Sequence, residues 1–231
     1  MRKKSLPMQK SLLSFLKVSW DRIMTKKERV LAISKIFDEV YSHAKCSLDY
    51  THDYELLIAV MLSAQCTDAR VNIVTKDLFA KYTTLRAFAD EKLEELEECI
   101  KSCGFYHSKA KNIIATANKI LNEFDGRIPD TIEELITLPG VGRKTANLIV
   151  GDVYGKPGVV VDTHCIRLSN RFGLTKEQNP VKIEMELKKI IPDDMQMRFC
   201  HQLVFHGRAY CMARKPNCDG CPINHLCKAY K

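Results

Sequence analysis

Apolar residues recur at helical spacing along almost the whole chain, and this periodicity constrains the fold more than any other feature. Residues 28–43 place Val30, Ile33, Phe37 and Val40 three or four apart, with Leu31, Ile36 and Tyr41 beside them, the pattern of a helix with one buried face. DYELLIAVMLSAQ (53–65) is nearly apolar on all sides and predicts a helix enclosed by others. Amphipathic segments follow at 68–82, 90–102 and 108–124, the second opening on Asp90 as its cap and the third on Ser108. PDTIEELITL then carries Asp130 and Glu133 at capping-box spacing, the hairpin PGVG leads into RKTANLIVGDVYG, and Asp162 is the expected cap of THCIRLSNRF, which stops at Gly173. Two more amphipathic helices are expected at about 181–191 and 195–209. The run Val159–Val161 is strand-like but too short for a sheet, so the expected fold class is all-α.

No apolar run approaches the roughly 18–20 residues of a membrane span, and no membrane partner is expected. The N-terminus has basic residues followed by leucines, as a secretory signal does, but Lys10 and Lys17 interrupt it and no small-residue cleavage site follows. Met24 offers an alternative start, which would leave residues 1–23 as an extension expected to be disordered. The net charge of +8 is compatible with a polyanionic partner without establishing one. Of the 10 cysteines, Cys46, Cys66, Cys99, Cys103, Cys165 and Cys200 are scattered through helical patterns. Without a secretion signal they indicate a reducing cytoplasm.

LPGVGRKTANLIV (138–150) holds the chemistry. Gly140 and Gly142 flank one apolar residue, so the backbone can turn tightly and present N–H groups at a helix N-terminus, where a phosphate oxygen fits. A plain helical hairpin would need the same glycines. Lys144 lies in the first turn of the second helix, where the helix dipole disfavours an ammonium ion, and a neutral amine is a nucleophile. A solvated surface lysine is the commoner reading, and the residue that gives the chemical reading weight is Asp162. If the two helix starts face one cavity, amine and carboxylate form a nucleophile and a charge stabiliser. Asp162 could equally serve only as a cap.

Cys211, Cys218, Cys221 and Cys227 have the spacing Cys-x6-Cys-x2-Cys-x5-Cys, and four thiols so crowded bind a soft metal centre. Structural zinc usually draws on two close CxxC pairs, and only Cys218–Cys221 is one. An iron–sulfur cluster accepts wider spacing, and on residues alone both remain open.

LPGVGRKTANLIV followed by VDTH resembles the helix–hairpin–helix and aspartate motif of the endonuclease III family of base-excision DNA glycosylases. The resemblance runs from about residue 28 to the end, through LLIAVMLSAQCTD, GFYHSKAKNI and FHGR. It implies that Lys144 attacks the sugar C1′ of a damaged nucleotide while Asp162 assists, and that Cys211, Cys218, Cys221 and Cys227 hold a structural 4Fe–4S cluster. It implies DNA contacts from the hairpin residues Gly140, Gly142 and Arg143, from Gln65 filling the gap left by an extruded nucleotide, and from Phe105 as a wedge where relatives commonly have leucine. Arg214 and Lys215, on the loop between the first two cysteines, are expected against phosphates. His107 stands where relatives often have asparagine, His164 is expected at the cleft, and Asp68 is expected to cap a helix.

The resemblance implies two helical lobes with a DNA cleft between them, one of residues 47–156, the other of 24–46 plus 157–231 with the cluster. The expected partner is damaged double-stranded DNA bearing oxidised pyrimidines or abasic sites, bound by a monomer in the cytoplasm, at the nucleoid if the source is bacterial. A mismatch-specific adenine glycosylase usually lacks this lysine and carries a further C-terminal domain. A thymine-mismatch glycosylase is nearer, separable by substrate profiling. A non-enzymatic DNA-structure-binding iron–sulfur protein would leave Lys144 and Asp162 without a purpose.

Overall fold

Residues 24–230, described by a computed structural model, form eleven α-helices and three short 3₁₀ turns, with no strand among the described residues. The extension expected over residues 1–23 lies outside them. In chain order the helices are α1 (Lys26–Val40), α2 (Asp53–Leu62), α3 (Asp68–Lys81), α4 (Leu85–Ala89), α5 (Leu93–Ile100), α6 (Tyr106–Glu123), α7 (Ile132–Leu135), α8 (Arg143–Asp152), α9 (Thr163–Phe172), α10 (Pro180–Ile190) and α11 (Gln196–Ala209). None of the described helices is long and apolar enough to cross a membrane. The chain divides into two compact units: Lys45–Val160 forms one, and Met1–Ala44, in its described part, forms the other with Val161–Lys231.

In the Lys45–Val160 unit α2 is the central element. Leu56, Leu57, Ala59 and Leu62 are fully enclosed, as an all-round apolar sequence requires. Truncating such a side chain to alanine costs about 2–5 kcal/mol through lost transfer energy and the cavity left behind. The helix stops at Leu62, short of the expected end at Gln65, because residues 63–66 turn away and Gln65 is left-handed (φ 53°).

Several helix starts differ from the capping pattern. Thr67, not Asp68, caps α3, its side chain accepting from the Arg70 N–H at 3.3 Å. Asp90 ends the short α4, which the periodicity did not reveal, and α5 starts after Lys92. Asp130 is drawn into an ion pair with Lys156 at 2.6 Å, and Thr131 caps α7 one residue later, accepting from Glu134 N–H at 3.3 Å. The start of α6 moves most: it begins at Tyr106, with Phe105 rather than Ser108 at the cap position.

In the other unit, Phe37 of α1 packs on Phe172 of α9 and on Phe199 and His206 of α11, with ring centroids 6.4, 6.0 and 4.9 Å away. His206 is enclosed, and burial pushes its imidazole down to about 4, so it is neutral at pH 7. Its Nδ1 meets the Tyr41 hydroxyl at 3.0 Å.

Candidate active site

The hairpin before α8 is built on α6. Gly140 has φ +77°, and a Cβ there would come 2.8 Å from Asn112 Nδ2, so both backbone and space require glycine. Thr116 Oγ1, one turn beyond Asn112, donates to the Pro139 carbonyl at 2.8 Å. Val141 between the glycines is buried. Gly142, the cap residue of α8, has an ordinary φ of −98° and nothing within 4 Å of a Cβ built on it. Local packing therefore gives no reason for glycine at 142, and Gly142 itself supplies no side-chain cap to α8. Such a helix start accepts an anion. Lys144 follows as the second residue of α8, exposed, and among the described residues its amine makes no side-chain hydrogen bond or ion pair.

Three of the residues expected to touch DNA come together. Gln65, Phe105 and Gly140 line one cavity of about 190 Å³ in the Lys45–Val160 unit, with Ser108, Lys109 and Asn112 among the other residues of its wall. Phe105 is left-handed (φ 50°) and 66% exposed, so the ring is no core residue. An unsupported phenyl group on a strained backbone marks a contact surface rather than a packing element. His107 beside it pairs through Nδ1 with Glu97 Oε2 at 2.8 Å.

Lys109 and Asn112 were passed over in the sequence. They follow Phe105 by four and seven positions, the spacing of one helix face, and that register was the available signal.

Asp162 caps α9. Its Oδ1 accepts from the Cys165 N–H at 2.7 Å, and its Oδ2 lies 3.2 Å from His164 Nδ1. His164 in turn is packed against α11, where a Cβ on Gly207 would stand 2.5 Å from His164 Cδ2. The carboxylate is thus held from both sides, in the unit that also holds the cysteine segment. Cys165 is buried and its thiol is pushed well up by that burial, which disqualifies it as a nucleophile.

The four terminal cysteines line one cavity of about 160 Å³. Arg171 of α9 donates from Nη1 to Cys211 Sγ at 3.2 Å and to the Met212 carbonyl at 2.9 Å, and Arg167 Nε reaches the Cys211 carbonyl at 3.1 Å. Buried Arg29 of α1 donates to the Leu226 carbonyl, and His206 Nε2 lies 3.5 Å from Cys221 Sγ. Burial, with the neighbouring thiols adding to it, pushes Cys221 up to about 11 and raises Cys227. Four such thiols cannot all ionise without a countercharge, and an iron–sulfur cluster supplies one. Among the described residues no group of three His, Cys, Asp or Glu side chains is arranged for a single metal ion. The donor set, four thiols around a cavity of this size, fits a cluster. Arg214 and Lys215 are exposed on the loop whose carbonyls Arg171 holds, with Lys215 left-handed (φ 51°).

Residues 58–193 match the model of the HhH-GPD superfamily base excision DNA repair protein, and residues 211–227 match that of the iron-sulfur binding domain of endonuclease III. The endonuclease III of Synechocystis sp. is 49% identical over 207 residues, 89% of this chain and 94% of the relative. That of Escherichia coli K12 is 38% identical over 205 residues, 89% of this chain and 97% of the relative. Among solved structures, a trapped endonuclease III–DNA covalent intermediate, an estranged-adenine complex, is similar with a TM-score of 0.83 and 41% identity, covering 90% of this chain and 97% of that one.

Proposed function

The chain belongs to the endonuclease III family of helix–hairpin–helix base-excision DNA repair glycosylases and carries a 4Fe–4S cluster, and from that premise we propose that it removes oxidised pyrimidines from duplex DNA and then cuts the strand through a lysine Schiff base. The observation that carries the reading is the convergence of Gln65, Phe105 and Gly140 on one cavity, in the same unit that presents the free amine of Lys144. The relative trapped as a covalent intermediate with DNA supports covalent chemistry of this kind.

The target nucleotide must leave the stack, because its C1′ is unreachable inside a duplex. Gln65 and Phe105 occupy the vacated space, the Phe105 ring stacking as an apolar wedge. The Lys144 amine attacks C1′ as the C1′–N bond to the base breaks. Loss of the amine proton and opening of the sugar ring give an imine. A proton then leaves C2′, its electron pair forms the C2′–C3′ double bond, and the C3′–O bond breaks, so that the downstream strand leaves with a 5′ phosphate. Asp162 stabilises the positive charge that develops on the sugar and, as a general base, takes the proton that the amine must lose. The cluster, ligated by Cys211, Cys218, Cys221 and Cys227, supplies structure: it pins the segment bearing Arg214 and Lys215. The proposed working form is a monomer acting on DNA in the cytoplasm.

Borohydride reduction during reaction with a duplex bearing one thymine glycol or abasic site tests this directly. A covalent protein–DNA band is the expected result, and thymine glycol should be released in preference to thymine from a G·T mismatch. Binding without a band would leave a monofunctional glycosylase or a DNA binder, and preference for the mismatch would move the assignment within the superfamily.

The hairpin glycines separate folding from contact. Gly140→Ala meets both a left-handed backbone and Asn112, and should destabilise the protein by about 1–2 kcal/mol in thermal melts. Gly142→Ala has room for its methyl group, so stability should fall only by the cost of alanine at a helix cap, about 0.5 kcal/mol, while DNA affinity falls, the methyl standing where a phosphate approaches. Arg214→Glu should weaken DNA binding, most at low salt, and leave the cluster absorbance intact. Unchanged affinity at low salt would remove Arg214 from the interface.

A further inference from the structure

The cavity beside Gln65 and Phe105 contains a buried charge that the chemistry of base removal does not use. Lys109 of α6 is only 7% exposed, and burial lowers its pKa. Its Nζ donates to the Leu62 carbonyl at 2.8 Å and to the Cys103 carbonyl at 2.9 Å. Leu62 is the last residue of α2, and Cys103 is the last of the 3₁₀ turn Lys101–Cys103. Carbonyls at such ends lack an intrahelical partner and attract a cation. One ammonium therefore serves two chain ends that are far apart in sequence.

Beyond each end lies one of the proposed DNA probes. Gln65 follows Leu62 by three residues and Phe105 follows Cys103 by two, and both are left-handed. L side chains hold that conformation only where the surroundings fix it. The face of α6 that carries Lys109 also carries Asn112 and Thr116, which meet the hairpin at Gly140 and Pro139. Phe105, Lys109, Asn112 and Thr116, spaced four, three and four apart, form one row on which three separate loops are registered.

We propose that Lys109 is a positioning residue for DNA insertion: its ammonium clamps the ends of α2 and of the 3₁₀ turn, and so sets Gln65 and Phe105 at a common depth for the gap left by the extruded nucleotide. The proposal rests on the insertion reading above. A hydrophobic residue of equal size would fill the volume and leave two buried carbonyls unpaired, so the loops beyond them would drift while the core stayed packed.

The test compares single-turnover borohydride trapping on an abasic site in duplex DNA with the same site in a single strand, where no stack has to be opened or filled. It uses the cluster-loaded full chain and the variants Lys109→Met, Lys109→Gln, Lys109→Arg, Gln65→Ala and Phe105→Ala. Lys109→Met should lower the duplex rate by roughly 10- to 100-fold, the penalty of a small misplacement, and leave the single-strand rate within about twofold. Lys109→Arg, with donors for both carbonyls, should restore most of the duplex rate. Lys109→Gln should fall between and carries the comparison if the methionine variant does not fold. An equal loss on both substrates, or no loss on either, overturns the proposal. If Gln65→Ala and Phe105→Ala keep the wild-type ratio of rates, insertion itself fails and the proposal with it. If they lose the ratio and Lys109→Met keeps it, only the role of Lys109 fails.

Discussion

Lys144→Ala is expected to give no trapped protein–DNA band and to lower base release by about 10⁴-fold or more, the scale on which a lost nucleophile is felt. Affinity for damaged duplex should change little, because the Pro139–Gly142 hairpin and its anchors Asn112 and Thr116 are untouched. Stability should stay within about 0.5 kcal/mol, since the side chain is exposed and has no partner among the described residues. Lys144→Arg should fail as completely, for a guanidinium stays protonated and cannot attack carbon. Single-turnover trapping and release assays, run beside binding titrations and thermal melts, read all four quantities. A band persisting in both variants would place the nucleophile elsewhere.

Asp162 calls for a pair of substitutions, because the residue has two roles. Asp162→Asn keeps an oxygen for the Cys165 N–H, and asparagine caps helices as well as aspartate, so melting should be unchanged. It removes the negative charge, and base release should fall by roughly 10²–10³-fold, the range seen when one electrostatic stabiliser of a transition state is lost. Asp162→Ala should show that loss and a further destabilisation of about 1 kcal/mol from the missing cap. Full activity in the asparagine variant would reduce Asp162 to a cap. Circular dichroism melts and single-turnover rates separate the cases.

Much of this was legible in the residues themselves. Asp162 could be read as a cap because an extended apolar run, Val159–Val161, precedes it and a helical pattern follows, and local chemistry decides such a site. The hairpin was legible for the same reason. The all-round apolar character of α2 revealed a central helix, and the cysteine spacing revealed its loop. Cap residues misled where another group claimed them: Asp130 left its capping position for Lys156, and the short α4 claimed Asp90. The left-handed turns at Gln65 and Phe105 could not be read at all. No propensity places a glutamine or phenylalanine at positive φ; the bonds that hold those turns come from Lys109, which looks in sequence like one more solvated lysine. Arg171 and Arg29 likewise acquire their meaning from carbonyls on the cysteine segment that only folding brings to them.

The division into two units has a consequence for biogenesis. Lys45–Val160 is one uninterrupted stretch, able to fold as soon as it leaves the ribosome. The other unit joins segments on either side of that stretch: Phe37 finds Phe199 and His206 only after some 160 intervening residues have been made, and such distant pairings form slowly. Until α11 has been made, α1 waits with an apolar face open to chaperones and proteases. Cys211, Cys218, Cys221 and Cys227 follow α11 in the chain, and Arg29 of α1 binds the segment they occupy. Cofactor loading therefore comes after both segments of this unit have been made, and iron starvation should appear as turnover of chains whose Lys45–Val160 unit is already folded.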